Sequence, residues 1–89
     1  MKDSDILSKS VILKAIGNAK RLEILHHINK EELSVGTLEE IVGLSQSALS
    51  QHLAVLRKAK VVKIRRNAQT IYYSIDNALV KQILKLLDL

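Results

Sequence analysis

The chain of 89 residues contains no cysteine and no proline. Without cysteine there is no disulfide framework and no thiolate-held metal, so the core must stand on packing alone. Without proline, nothing fixes a kink inside a helix or strand. Aromatics are nearly missing too, with no Phe or Trp and only Tyr72 and Tyr73. Two rings offer no stacking platform for unpaired bases, which argues against a single-stranded nucleic acid as partner. No apolar run approaches the roughly 20 residues needed to span a bilayer. The start, Met1-Lys2-Asp3-Ser4-Asp5, is polar and acidic rather than a basic stretch leading into an apolar one. A cytoplasmic protein without membrane contact is expected. No Ser/His/Asp set, paired carboxylates or glycine-rich phosphate loop is visible, so no enzyme is expected.

One more absence is local. From Ile41 to Ile75 there is no Asp or Glu, yet there are six bases: Arg57, Lys58, Lys60, Lys63, Arg65 and Arg66. Residues 1–40 carry six Lys or Arg against seven acids, and residues 76–89 carry two of each. The net charge of +5 therefore sits in one contiguous stretch. Such a stretch is an electrostatic footprint for a polyanion, because each phosphate neutralised releases condensed counterions. Charge runs are often only solvated faces, so the architecture around this one decides its meaning.

Hydrophobic periodicity predicts a first helix over about 5–16, ending at Gly17, and a second over about 19–29. Residues 33–36 read as a connector. Thr37 can cap a third helix through Val42, with Glu40 at capping-box spacing. Gly43-Leu44-Ser45 forms a tight turn, and Ser45 caps a fourth helix running to about Ala59. The period then changes. Residues 61–66 and 70–75 are β-branched and aromatic, separated by Asn67-Ala68-Gln69, and read as a hairpin. Asp76 or Asn77 caps a last helix through about Leu87. The expected fold is mainly α with a small β-hairpin wing, a winged helix-turn-helix in a single domain over 1–89. The helix-turn-helix covers about 37–59 and the wing about 61–75.

The fourth helix resolves by face. At about 100° per residue, Leu49, Leu53 and Leu56 form a core-facing stripe. The opposite arc holds Gln46, Ser47, Ser50, Gln51, Ala54, Arg57 and Lys58, with no acid among them. A helix entering a major groove wants short amides and hydroxyls for base edges and cations at its far end for phosphates. Arg65 and Arg66 lie beside the wing tip, next to Gln69. There they can enter a minor groove or clamp phosphates. Duplex DNA is the expected partner.

Leu44-Ser45-Gln46-Ser47-Ala48-Leu49-Ser50-Gln51-His52-Leu53, followed by Leu56-Arg57, resembles the recognition helix of the ArsR/SmtB family. Ala19-Lys20-Arg21-Leu22-Glu23-Ile24-Leu25 is similar to that family's second-helix signature. Arg65-Arg66-Asn67-Ala68-Gln69-Thr70-Ile71-Tyr72-Tyr73 is similar to its wing. The resemblance covers nearly the whole chain and lies nearest the NolR/HlyU-like branch. It implies a homodimeric transcription regulator at the bacterial nucleoid, bound to an inverted-repeat operator. Base reading would fall to Gln46, Ser47, Ser50 and Gln51, and Arg21 would approach the DNA backbone. Family metal sensors carry a Glu-Leu-Cys-Val-Cys-type motif. Here the matching stretch is Glu32-Leu33-Ser34-Val35-Gly36, with Ser34 and Gly36 where thiolates would stand. The last helix has no histidine, and its acids, Asp76 and Asp88, are at opposite ends. No cofactor and no family metal or cysteine switch is expected.

Other groups read more simply. His52 falls toward the Leu49 and Leu56 side, which suits a structural role at the core's edge. Glu23, His27 and Glu31 share one helix face at i, i+4, i+8, the pattern of a solvated row more often than a metal site. The last helix carries Leu79, Val80, Ile83, Leu84, Leu86 and Leu87, a wider apolar arc than one small core can cover, and the first helix is similarly apolar. Dimerisation is therefore expected through helices at about 5–16 and 77–87. An effector is not identifiable. Repression by promoter occlusion is the principal expectation, with activation by displacing a silencing protein as a variant. A winged-helix interaction or architectural module is the alternative.

Overall fold

The computed structural model describes residues 2–89. Its elements are α1 (Asp3–Ile16), α2 (Ala19–Lys30), β1 (Leu33–Ser34), α3 (Val35–Val42), α4 (Gln46–Lys58), β2 (Val62–Asn67), β3 (Thr70–Ile75) and α5 (Ala78–Leu86). The strands form one antiparallel sheet in the order β1-β3-β2. Four helices are started by a short polar side chain that accepts one of the orphan N–H groups of the first turn. Asn18 accepts from Arg21 at 3.1 Å, Ser34 from Thr37 at 3.1 Å, Ser45 from Ala48 at 3.2 Å and Asn77 from Val80 at 3.1 Å. Asn77, not Asp76, is thus the cap of α5. The first helix lacks a side-chain cap, but Asp3 and Asp5 in its first turn suit the positive end of the helix dipole.

Two expectations about the middle of the chain are corrected. Residues 33–36 are not a plain connector, because Leu33 pairs with Tyr73 and Ser34 with Tyr72. That pairing holds the backbone extended up to Ser34, so α3 starts at Val35, two positions before the expected cap. Ser34 caps the helix and its hydroxyl donates to the Thr37 hydroxyl at 3.0 Å. The anticipated Thr37 and Glu40 capping box is not formed. Asn67, expected in the hairpin loop, belongs to β2 and pairs with Thr70. This leaves a two-residue turn, Ala68-Gln69, whose first residue has the positive φ (57°) that tight hairpin turns require.

The helix ends determine how the recognition unit is aimed. Gly43 takes φ 71°, a left-handed conformation that lets α3 stop and α4 begin three residues later. The end of α4 is a Schellman motif closed by lysine instead of glycine. Lys60, at φ 59°, donates its N–H to the Arg57 carbonyl at 2.9 Å, and the Val61 N–H reaches the Leu56 carbonyl at 3.1 Å. Leu56 and Val61 are both fully buried, which supplies the hydrophobic contact of that motif. The left-handed lysine costs about 1–2 kcal/mol, and this packing offsets it.

The core lies where α2, α3, α4 and α5 meet the inner face of the sheet. Ile24, Leu25, Leu38, Leu49, Leu56, Val61, Val80 and Leu84 are its fully buried side chains. The expected stripe of α4 is present, with Leu49, Leu53 and Leu56 all buried. Each contributes on the order of 1.5–3 kcal/mol of burial, and together they fix which arc of α4 faces outward. Tyr73 is buried and Tyr72 half-exposed, as alternation along β3 demands.

Candidate nucleic-acid interface

With its leucine stripe anchored, α4 presents Gln46, Ser47, Ser50, Gln51, Arg57 and Lys58 to the exterior, and all six are exposed. They form two rows. Gln46, Ser50 and Arg57 line a groove of about 630 Å³ between α4 and the wing, whose other wall includes Gln69, Thr70 and Ile71. The first residues of α3, Val35 and Gly36, close its head together with Ser34. Ser47 and Gln51 stand on the outer crest. Lys58 turns toward α1, where with Val11 and Lys14 it borders a smaller groove of about 300 Å³. Ser45 spends its oxygen on the cap of α4 but keeps its hydroxyl proton to donate, and it is exposed.

Arg57 is held at the foot of the larger groove. Its Nη1 donates to the hydroxyl of buried Tyr73. Tyrosine at 73 thereby satisfies its own buried polar tip and directs a guanidinium that retains further donors. This link between α4 and β3 was not anticipated from sequence, where the two tyrosines were distinguishable only by face.

The two wing arginines do not share a face of the sheet. Along β2, neighbouring side chains point to opposite faces of the sheet. Arg66 opposes Ile71, while Arg65 opposes Tyr72. Arg66 therefore shares the face of Ile71 and Tyr73, which borders the groove beside α4. It is exposed and makes no side-chain hydrogen bond or ion pair among the described residues. Arg65 lies on the far face. Its guanidinium carbon sits 4.4 Å from the Tyr72 ring centroid. Its Nε and Nη2 both donate to the Glu32 carboxylate, at 3.0 and 2.7 Å to Oε1 and 3.2 Å from Nε to Oε2. The two arginines expected to act together at the wing tip thus lie on opposite faces of the sheet, Arg66 beside the groove and Arg65 paired with Glu32.

The hydrogen bond from Arg65 holds the Glu32 carboxyl below its ordinary range, with the charges of Arg65 and Lys63 adding to the effect against partial desolvation. Because the folded value is depressed, the tie is intact above the ordinary carboxylate range and is lost as pH falls through the lowered value. At neutral pH it is fully formed.

Arg21, which resemblance would bring to the DNA backbone, makes three contacts within the chain. Its Nε donates to the Ala15 carbonyl, its Nη2 to the Lys14 carbonyl at 3.3 Å, and its Nη1 lies 3.2 Å from His52 Nδ1. The guanidinium is held against the C-terminal carbonyls of α1 and the back of α4. Guanidinium only donates, so His52 accepts at Nδ1 and carries its proton on Nε2. His52 is half-buried in this contact, as a structural residue would be.

Among the described residues no group of three His, Asp or Glu is placed to hold a metal. No helix among the described residues is long and apolar enough to cross a membrane. A short-turn helix pair with its second helix exposed along a polar, acid-free arc, flanked by a two-stranded wing, defines a winged-helix DNA-binding protein. This class reads duplex grooves with an inserted helix and contacts the backbone from its wing.

The chain belongs to the arsR family of bacterial regulatory proteins, whose sequence model matches residues 18–63. It is a DNA-binding transcription regulator and not an enzyme. It is 52% identical over 83 residues to the nodulation protein NolR of Rhizobium meliloti, covering 93% of this chain and 68% of that protein. The solved structure of HlyU from Vibrio cholerae superposes with a TM-score of 0.90 at 44% identity, covering 97% of this chain and 94% of the other. The transcriptional repressor PagR of Bacillus anthracis gives a TM-score of 0.88 at 37% identity, covering 97% and 99% of the two chains. The NolR/HlyU-like branch of the family thus accounts for the chain along most of its length.

Proposed function

We propose that two copies of this chain bind an inverted-repeat operator in duplex DNA and repress transcription by occluding a promoter. The observation that carries this reading is the exposed row of Gln46, Ser47, Ser50 and Gln51 on a helix whose opposite side is locked into the core. In this account these four side chains meet base edges in the major groove. Glutamine can pair with adenine N6 and N7, while serine accepts several bases. Arg57 and Lys58 follow the flanking phosphates, Ser45 donates to the backbone at the start of the helix, and Arg66 and Gln69 reach it from the wing.

The two-fold partner is supported by apolar surface at the ends of the chain. Ile6, Leu7, Val11 and Leu13 of α1 are exposed, as are Leu79, Leu86 and Leu87 at α5. Leu86 is 86% exposed, far more than a core leucine tolerates. A second copy seated on α1 and α5 would cover these side chains and set two recognition helices about 34 Å apart, one helical turn of DNA. Repression needs nothing beyond occupancy of the promoter. The relatives include a transcriptional activator, HlyU, as well as a transcriptional repressor, PagR. No cofactor enters the account, and the site of action is the cytoplasmic chromosome.

The reading is tested by selecting bound sequences from a pool of random duplexes. The expected product is an inverted repeat with half-site centres about 10–10.5 base pairs apart. Salt-dependent binding without any enriched sequence would overturn it in favour of a merely architectural role.

A further inference from the structure

The stretch from Ile41 to Ile75 has no acid of its own, but the fold brings one to it. Glu32 precedes β1, and Ser34 of β1 and Arg65 of β2 both oppose Tyr72 of the central strand. Two residues back along an extended chain, Glu32 points to the same face as Ser34 and Arg65. Its carboxylate accepts from Arg65 in the two-pronged geometry that guanidinium uses equally for phosphate. Stacking on Tyr72 holds the guanidinium plane in place. The donors facing the carboxylate are those a phosphate would otherwise take.

We propose that Glu32 masks Arg65 from DNA phosphates, so that the wing offers the backbone one free arginine, Arg66, in place of two. The carboxylate acts through Arg65 and touches no DNA itself. It lowers the sequence-independent part of the attraction, which otherwise rises with every cation that reaches a phosphate. The masking rests on the proposed approach of the wing to duplex DNA.

The test measures affinity for a random duplex at several salt concentrations, for the full chain and three variants. Glu32→Gln keeps the shape of the side chain and removes its charge. It should bind about three- to tenfold more tightly near 0.1 M salt, with a salt slope steeper by about 0.9 for each protomer bound. Arg65→Gln in the native background should leave the slope unchanged, because that cation meets no phosphate, and should weaken binding only slightly, through the carboxylate it leaves unpaired. Glu32→Gln combined with Arg65→Gln should return to the native slope. Weaker binding by Glu32→Gln would mean that the carboxylate orients Arg65 for contact, and would overturn the masking. A flatter slope for Arg65→Gln alone would overturn it equally, and that variant decides the matter if Glu32→Gln does not fold. If the unaltered chain shows no salt-dependent duplex binding, the DNA-binding reading fails first and the masking falls with it. A native chain that binds while Glu32→Gln leaves slope and affinity unchanged refutes the masking alone.

Discussion

Replacing Leu49 with alanine is expected to cost about 2–5 kcal/mol of folding stability, the range found for buried leucines that leave a cavity behind. Leu49 is fully buried and is the first residue of the stripe that holds α4 against the core. A domain of this size has on the order of 5–15 kcal/mol in total, so the loss is a large share of it. The melting temperature should fall by about 10 °C or more. Thermal or urea unfolding measures the effect directly. A loss under about 1 kcal/mol would mean that the helix is not anchored as described. The same substitution removes none of the proposed base readers, since Gln46, Ser47, Ser50 and Gln51 all lie on the other arc. At a temperature where the variant is still folded, its preference between operator and random duplex should therefore survive.

The second large effect is expected at Arg21. Its alanine variant loses donors to the Lys14 and Ala15 carbonyls and to His52. Hydrogen bonds from a charged donor contribute about 1.5–3 kcal/mol each, but they are not additive within one side chain and part of this group meets water. A total loss of about 2–3 kcal/mol is expected. Arg21→Lys should recover little of it, because an ammonium cannot reproduce the planar fork that meets α1 and α4 together. The salt dependence of DNA binding should not change in either variant. A flattened salt slope with unchanged stability would instead return Arg21 to the DNA backbone, where resemblance placed it.

These two residues mark what the chain reveals by itself and what it does not. The leucine spacing of α4 is a local signal, with period and identity both explicit, and it located the outer arc correctly. The Ser45 cap is equally local. The start of α3 was not legible, because Ser34 and Thr37 are both competent caps three residues apart. The choice between them is made by β1, a two-residue strand too short to show any alternation. Its pairing with β3 comes from a segment nearly forty positions away. Arg65 illustrates the same limit. Its position beside the wing tip could be read from sequence, but its partner Glu32 lies 33 residues earlier. The arginine doublet looked like a pair because adjacent letters hide the fact that adjacent strand residues face opposite ways. Arg21 matched a family signature that carries no information on where a guanidinium points.

The lysine at the end of α4 shows the reverse situation. Nothing in the local sequence asks for a left-handed residue at Lys60, where glycine would be the ordinary choice. The Leu56 and Val61 contact and the start of β2 impose that conformation from outside. The glycine at Gly43 was readable because it met the turn requirement with its own chemistry.

The central claim is that the outer arc of α4 reads bases, and Gln46→Ala tests it most directly. Its affinity should be measured side by side for the selected operator and for a random duplex of equal length. Binding to the operator should weaken by about 1–3 kcal/mol while binding to the random duplex stays nearly constant. Equal losses on both duplexes would contradict the claim and reduce Gln46 to a backbone contact.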